Sequence, residues 1–167
     1  MLIRFAKEND LQSIVYIYNQ AIDSKTATAD SEKITIDDRK DWFAEHHPNQ
    51  YPIYVVETDN KIVGWGSLSP YRKGRKRLRT TAEITYYIDY NYQQLGYAKQ
   101  LIDFMIKDCK RLKIDHLLAL LLGINTSSEN ILKQFGFSKW GILRNIVDLE
   151  GVACDHLIYG INLSEKI

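Results

Sequence analysis

The sequence predicts an α/β (α+β) domain built on a mixed, mainly antiparallel sheet with helices on both faces. Three observations support this fold class. β-rich runs joined by short turns occur in both halves of the chain, which predicts antiparallel hairpins. Amphipathic helical patterns separate several of these runs. One strand–helix–strand unit, at 80–122, predicts a right-handed parallel crossover within the same sheet.

The first half of the chain predicts a strand, two helices and a hairpin. Asn9 or Asp10 caps the first helix, whose apolar residues recur at helical spacing up to Ile22. The polar segment 23–38 predicts a loop. Asp59-Asn60-Lys61 joins two β-rich runs and is typical of a hairpin turn. The predicted strands are 2–6, 51–58 and 62–69, and the predicted helices lie at about 11–22 and 38–46.

The second half predicts the crossover and a further hairpin. One apolar stripe runs from Ala98 to Leu112 along the crossover helix. The run after it is almost wholly apolar, as expected for a strand buried on both faces. A turn at 148–151 separates the last two strands. The predicted strands are 80–89, 116–122, 140–147 and 153–163, and the predicted helices are 98–113 and 127–134.

Length and charge narrow the class of protein. The chain has 167 residues, and no repeat, low-complexity tract or Gly/Ser linker divides it, so we expect a single domain over 1–167. A formal net charge of +1 argues against a general polyanion binder. Six basic residues are nevertheless concentrated in one segment, 71–79 (YRKGRKRLR), which we call the basic loop.

Cysteine and histidine usage argues against a zinc site. Cys109 and Cys154 form no C-x-x-C pair, and the four histidines are not spaced around them as metal ligands. Two free thiols are typical of a reducing compartment. The chain begins without an apolar signal region, and no stretch approaches the roughly 18 apolar residues of a membrane span. We therefore expect a cytoplasmic protein with no metal and no membrane partner.

The turn that precedes the crossover helix has features of a phosphate-binding loop. Gln93-Gln94-Leu95-Gly96-Tyr97-Ala98 places a glycine and an alanine at the start of that helix. Uncovered backbone N–H groups and the positive helix end can receive a phosphate without a lysine. A plain strand-to-helix turn would use the same residues. The segment is neither G-x-x-x-x-G-K-[ST] nor G-x-G-x-x-G, so on its own it leaves both interpretations open.

Q-x-x-G-x-A at 93–98 resembles the [QR]-x-x-G-x-[GA] motif of the GCN5-related N-acetyltransferase (GNAT) superfamily. The resemblance covers almost the whole chain and is strongest to the phosphinothricin N-acetyltransferase group. It implies a GNAT-type sheet whose fourth and fifth strands, a parallel pair, splay apart and hold acetyl-CoA. The matching segments are IRFAKENDLQSIVYIYNQAI, DDRKDWF, YPIYVVETDNKIVGWGSLSPYR, AEITYYIDYNYQQLGYAKQL, GINTSSENILKQFGF and the late Asp155.

The resemblance implies acetyl-CoA as acetyl donor and a set of contacts for it. A strand main chain pairs with the pantetheine arm as an added strand would. Amides of the glycine-containing turn take the pyrophosphate. Asn125 hydrogen-bonds the pantetheine with Ser128 beside it, although a helix N-cap would use the same residues. A homodimer is implied in the same way. The implied cofactor-binding residues are Tyr87, Ile88, Gln93, Gln94, Leu95, Gly96, Tyr97, Ala98, Asn125 and Ser128.

Acetyl transfer to an amine also needs a group that removes a proton. Glu83 lies in the otherwise apolar or neutral run TAEITYYI and matches T-V-E of the family, so it is the predicted catalytic base. A strand-edge glutamate is the alternative. Leu132 occupies the position where relatives often carry a tyrosine or histidine as an acid for the departing thiolate. Either no protein acid acts there, or Tyr86, Tyr87 or Tyr97 replaces it.

The acceptor is predicted from Arg72. Ser69-Pro70-Tyr71-Arg72 matches the family's S-P-F-R beside the acceptor site, so Arg72 is predicted to bind a carboxylate or phosphinate. A solvated loop is the alternative. The predicted reaction is acetylation of the primary amine of a small amino-acid-like acceptor, of the phosphinothricin, methionine sulfone or methionine sulfoximine type.

Two other functions stay open. A GNAT enzyme could instead acetylate protein or peptide amines, or polyamines. A non-catalytic acyl-CoA-binding or nucleic-acid-binding module would use the basic loop and would lose affinity steeply with salt. Nothing else in the sequence supports the last function, so we expect no nucleic-acid partner.

Overall fold

The computed structural model describes residues 1–164, which form one seven-stranded sheet with α-helices packed against it. The strands are β1 (Leu2–Phe5), β2 (Ile53–Thr58), β3 (Lys61–Pro70), β4 (Thr81–Ile88), β5 (His116–Leu122), β6 (Ser138–Leu149) and β7 (Val152–Asn162). The helices are α1 (Leu11–Asp23), α2 (Ile36–Ala44), α3 (Tyr97–Leu112) and α4 (Thr126–Gln134).

The sheet has the order β1-β2-β3-β4-β5-β7-β6, and within it β4 and β5 form a parallel pair between antiparallel neighbours. The parallel pairing begins at Thr81 with His116 and ends at Glu83 with Leu118. Both strands continue beyond this point, so they diverge and leave a space that we call the β4–β5 gap. The predicted fold class, including the splayed pair, is confirmed.

Helices cover both faces of the sheet because side chains alternate along each strand. On β2, Ile53 and Val55 pack with the apolar side of α1, whereas Tyr54 and Val56 pack with that of α3. Each of these two helices buries one apolar stripe. Among residues 1–164 no helix is long and apolar enough to cross a membrane.

The structure corrects three local details. α2 begins at Ile36, earlier than predicted, because Thr35 and Asp38 form a reciprocal capping box: Thr35 N–H donates to the Asp38 carboxylate at 2.7 Å. Asp10 precedes α1 but its carboxylate does not cap the helix. It accepts hydrogen bonds from Arg4 at 2.7 and 2.9 Å instead. β6 is longer than predicted because the chain reverses within a tight turn at Glu150 and Gly151, both with positive φ.

Candidate active site

The start of α3 presents main-chain N–H groups that the helix leaves unused. Gly96 adopts φ +84° just before the helix, and the first helical hydrogen bond runs from Gln100 N–H to Gly96 C=O at 3.1 Å. The amides of Tyr97, Ala98 and Lys99 precede that bond, so the helix does not use them. Three free N–H groups at a positive helix end suit a pyrophosphate.

Backbone conformation, more than lack of room, explains the glycine at this position. A Cβ on Gly96 would lie 3.8 Å from Gln100 Nε2, an ordinary contact. A φ of +84° is, however, a conformation that side-chain-bearing residues rarely adopt. Gln94 in the same turn has φ +62°, so this segment approaches α3 through two left-handed residues. Their combination turns the amides toward the β4–β5 gap.

The β4 main chain exposes hydrogen-bonding groups to this gap. Tyr71 N–H donates to Thr81 C=O at 3.3 Å, and Asp89 N–H donates to Val63 C=O at 2.9 Å. Because bonding direction alternates along a strand, the odd-numbered residues of β4 bond β3 and the even-numbered ones face β5. Beyond the last β4–β5 pair, the N–H and C=O groups of Tyr86 and Ile88 therefore face the gap.

This alternation corrects one sequence prediction. Tyr87 pairs with Trp65 in β3, so its main chain is turned away from the gap. Ile88 is placed as predicted, and Tyr86 takes the position expected of Tyr87. The side chain of Tyr87 lies on the α1 side of the sheet and lines a cavity there.

A cleft of about 730 Å³ opens from the gap. Its walls come from β4, the two helix starts and the end of α1. Leu95 is exposed and its side chain is outside the lining. The structure brings the other predicted cofactor residues together around this cleft: Tyr87, Ile88, Gln93, Gln94, Gly96, Tyr97, Ala98, Asn125 and Ser128.

Asn125 can cap a helix and contact a ligand at the same time. Its side-chain oxygen accepts from Ser128 N–H at 3.1 Å and so caps α4. The residue also lines the cleft. Since the oxygen serves the cap, the amide NH₂ of Asn125 is the group left to face a ligand.

A second cavity, of about 380 Å³, lies on the α1 side of the sheet; we call it the side cavity. Its walls come from strands β3, β4, β5 and β7 and from helices α1, α2 and α4. The residues that line both the cleft and the side cavity are Ala27, Tyr86, Tyr87, Asn125 and Ser128. The two spaces therefore meet at the β4–β5 gap, where a group bound in one can react with a group bound in the other.

Glu83 lines the side cavity. It is a residue of β4 and pairs with Ser69 of β3. Burial raises the pKa of its carboxyl group above the usual value, and no basic residue of 1–164 forms an ion pair with it. A half-buried carboxylate with a raised pKa holds a proton more readily than an exposed one. This is the property required of a proton acceptor at near-neutral pH.

Ser69 extends the polar wall beside Glu83, and His46 supports it from behind the wall. His46 Nδ1 lies 2.6 Å from the Trp42 C=O and its Nε2 lies 3.0 Å from Ser69 Oγ. Burial lowers the pKa of His46, so the ring is neutral at pH 7. A carbonyl can only accept, hence Nδ1 carries the proton and Nε2 accepts from the Ser69 hydroxyl. The Ser69 oxygen remains an acceptor toward the cavity.

Most of this cavity was not predicted from the sequence. The Arg39 guanidinium lies 4.4 Å from the centre of the Tyr18 ring and 5.0 Å from that of Trp42. One signal was present: Arg39 and Trp42, three residues apart in DDRKDWF, share a helix face. The lining residues that were not predicted include Tyr18, Arg39, Trp42, Trp65, Ser67 and His156.

Arg72 is placed differently from the prediction made for it. It is exposed on the basic loop, and its side chain lines neither the cleft nor the side cavity. All residues from Arg72 to Arg79 are exposed. The structure therefore brings Glu83 and the predicted cofactor residues together and leaves Arg72 outside the two cavities.

Three of the four positions considered as acids for the thiolate are poorly suited to that task, and the fourth, Tyr97, lines the cleft at the start of α3. Leu132 is fully buried in the core on the α3 side. Burial raises the pKa of Tyr86 to about 12 and also raises that of Tyr87. A thiolate of a thiol with pKa near 8.5 is too weak a base to take a proton from either phenol.

Backbone donors at a helix start can bind a pyrophosphate, and an unpaired strand edge beside them can pair with an extended amide-containing arm, as a CoA thioester requires. The chain belongs to the GNAT superfamily: the family model of the acetyltransferase (GNAT) domain matches residues 3–158. This confirms the resemblance drawn from 93–98 and the segments around it. The protein is an acetyl-CoA-dependent N-acetyltransferase.

Individual relatives of the chain are also acyltransferases by name. YwnH of Bacillus subtilis strain 168, named provisionally as a phosphinothricin acetyltransferase, is 34% identical over 98% of this chain and 100% of its own. The Escherichia coli K12 L-amino acid N-acyltransferase MnaT is 26% identical over 82% of this chain and 79% of its own. A crystal structure named provisionally as a phosphinothricin N-acetyltransferase superposes with a TM-score of 0.92 at 33% identity, covering 97% of this chain and 98% of that one.

Proposed function

We propose that this enzyme acetylates the primary amine of a small amino-acid-like acceptor, of the phosphinothricin, methionine sulfone or methionine sulfoximine type. The observation that carries the proposal is the side cavity, which contains Glu83 and meets the cleft at the β4–β5 gap. A volume of about 380 Å³ suits a small molecule better than a peptide segment. A Salmonella typhimurium relative at 26% identity is named an L-methionine sulfoximine/L-methionine sulfone acetyltransferase.

The main-chain groups around the gap hold the acetyl donor in this proposal. The N–H and C=O groups of Ile88 and the C=O group of Tyr86 pair with the amide-containing pantetheine arm. The free amides at the start of α3 bind the pyrophosphate, and the Asn125 NH₂ donates to a pantetheine carbonyl beside Ser128. Acetyl-CoA supplies the activated acetyl group as a thioester.

Glu83 removes the proton from the acceptor's ammonium group, directly or through one water molecule. Glu83 passes this proton to water, and the amine attacks the thioester carbon with its lone pair free. The second N–H proton is lost to Glu83 or to water as the C–S bond breaks. Burial has raised the pKa of Glu83, which strengthens it as a base, and deprotonated Glu83 becomes more abundant as the pH rises through that pKa. The rate should therefore fall on the acid side.

Negative charge develops on the thioester oxygen and then on the sulfur. An N–H group of β4 that faces the gap, such as that of Tyr86, can donate to the oxygen. The sulfur leaves as a thiolate without a protein acid, since Leu132 is apolar and the phenols of Tyr86 and Tyr87 retain their protons. A thiol with a pKa of about 8.5 is a tolerable leaving group.

A thiol-release assay with acetyl-CoA and a panel of amines tests the acceptor class. The panel contains phosphinothricin, methionine sulfone, methionine sulfoximine, polyamines, aminoglycosides and peptide N-termini. We expect the three amino-acid analogues to have the highest kcat/KM. Turnover of peptides or polyamines alone would contradict the proposed acceptor and leave the acetyltransferase activity standing.

Three further attributes stay predictions. Assembly as a homodimer is consistent with the apolar side chains that β6, an edge strand, exposes: Trp140, Ile142, Leu143 and Ile146. Sedimentation velocity measures the mass directly. The absence of a nucleic-acid partner and a cytoplasmic location also remain expectations from the sequence.

A further inference from the structure

We infer that Arg39 binds a negatively charged group of the acceptor, at the end of the side cavity that is lined by Trp42. The inference rests on the proposed function and adds to it the residue that selects acceptors carrying a carboxylate or phosphinate. Arg39 then replaces Arg72 as the anion-binding residue.

Ring contacts hold Arg39 in place. Its guanidinium lies over the faces of Tyr18 and Trp42, at 4.4 and 5.0 Å from the ring centres. Trp42 in turn packs edge-on against Trp65, with ring centres 5.6 Å apart, and Tyr18 donates a hydrogen bond to Asp30. Stacking restricts the guanidinium plane while its N–H edge stays available for a bidentate contact.

Arg39 also lacks an anionic partner. Within residues 1–164 it forms no salt bridge with a carboxylate, and it is partly exposed toward the side cavity. Other basic side chains nearby are paired: Lys40 with Asp37 at 2.6 Å and Lys73 with Glu45 at 2.7 Å. A permanently charged group held on an aromatic surface without a counter-ion is suited to an anionic ligand.

The lining of the same cavity carries the opposite charge at a second place. Glu83 lines the cavity and forms no ion pair with a basic residue of 1–164. The cation of Arg39 and the carboxylate of Glu83 therefore belong to one cavity and neither is used in a salt bridge, which matches a short molecule that carries both an ammonium group and an anion.

The test compares each acceptor with its neutral amide in parent and variant enzymes. Arg39→Gln removes the charge. We expect kcat/KM for methionine sulfone to fall about 10- to 150-fold, the range for a lost hydrogen bond to a charged group. For methionine sulfone amide, which keeps the amine and lacks the carboxylate, the fall should be less than about 3-fold. The carboxamide of phosphinothricin, which keeps the phosphinate and lacks the carboxylate, distinguishes the two anions: its kcat/KM should fall strongly only if Arg39 binds the phosphinate.

Binding gives a readout that does not depend on turnover. Calorimetry of N-acetylmethionine sulfone with the CoA-loaded protein should show weaker binding for Arg39→Gln, whereas acetyl-CoA affinity stays that of the parent. Arg39→Lys keeps the charge and should recover part of the loss. Arg77→Gln, on the exposed basic loop, controls for the change in net charge and should behave as the parent. Arg72→Gln should lose less than Arg39→Gln.

Equal losses for the acid and its amide would mean that Arg39 only packs against Tyr18 and Trp42, and would overturn the inference while the proposed function stands. An anion-specific loss in Arg72→Gln instead of Arg39→Gln would overturn it too. Failure of the parent to acetylate any amino acid in the panel would overturn the proposed function itself, and the anion site with it.

Discussion

The cleft and the side cavity are neighbours built by different means. The cleft is lined mainly by one continuous stretch, from the end of β4 to the first turn of α3, whose main chain keeps unused N–H groups. The side cavity is lined by residues that come from seven separate strands and helices. A backbone site tolerates many side chains but few backbone conformations, whereas a side-chain site can change its ligand by single substitutions. The donor site is therefore the shared chemistry of the fold, and the side cavity is where specificity resides.

The largest effect should come from a substitution that acts on the cleft alone. Gly96→Glu forces a side chain onto φ +84° and places a carboxylate where the pyrophosphate binds. We expect acetyl-CoA binding to be undetectable by calorimetry in a variant that remains folded by circular dichroism.

Gly74→Glu is the matched control. Gly74 has φ +80° on the basic loop, and a Cβ added there would have no atom within 4 Å, so the backbone strain is similar. No residue of the basic loop lines the cleft. Gly74→Glu should bind acetyl-CoA as the parent does. Parent-like affinity in Gly96→Glu would remove the distinction between a backbone-built cleft and a side-chain-built cavity.

A smaller effect, confined to the side cavity, is expected from Glu83→Gln. The variant keeps the shape of the side chain and loses the base, so kcat should fall by roughly 10²–10⁴ while acetyl-CoA affinity is unchanged. The acid limb of the parent's pH–rate profile should disappear. Glu32→Gln, at an exposed loop position, serves as the control. Equal activity of variant and parent at pH 9 would show that the free amine needs no protein base.

The smallest effect concerns stability. The pKa of Glu83 is raised in the folded protein, so the folded state binds the proton more tightly than the unfolded state. The free energy of unfolding therefore decreases as the pH rises from the unfolded pKa of about 4.3 through the folded value. Glu83→Gln lacks this loss and should gain stability relative to the parent between pH 4 and pH 7. Urea denaturation at pH 4 and at pH 7 measures the free energy of unfolding of both proteins. If Glu83→Gln is instead less stable relative to the parent at pH 7 than at pH 4, contacts of the ionised Glu83 stabilise the fold.

The difference between the two regions also decides what the sequence could predict. Local patterns predicted the hairpins, the crossover and the start of α3, because Gly96 and the helix after it are adjacent in the chain. Which β4 groups face the gap could not be predicted, since that depends on the pairing of Tyr87 with Trp65 in β3. A strand pattern shows which side chains share a face but not which neighbour each main-chain group bonds.

The anion-binding residue shows the same limit. Arg72 was selected from a local match to S-P-F-R, but the loop carries its side chain away from both cavities. Arg39 reaches the side cavity only because α2 packs across α1 and brings it over Tyr18, a contact between positions far apart in the chain. The start of α2 was missed for a simpler reason: the T-x-x-D cap at Thr35 lies outside the apolar pattern used to place the helix.

The β4–β5 gap has a consequence beyond catalysis. It leaves a strand-wide opening inside the sheet, lined by main-chain groups of Tyr86 and Ile88 that any extended chain could bond. In the proposed function, the donor's pantetheine arm occupies this opening as an inserted strand would, so the donor would complete the sheet as well as react in it. Occupancy at 100 times Kd adds about 2.7 kcal/mol to the free energy of unfolding. The stability of the protein in a cell would then depend on the acetyl-CoA concentration. At low acetyl-CoA, the unpaired main-chain groups of β4 would be exposed to pairing with other chains.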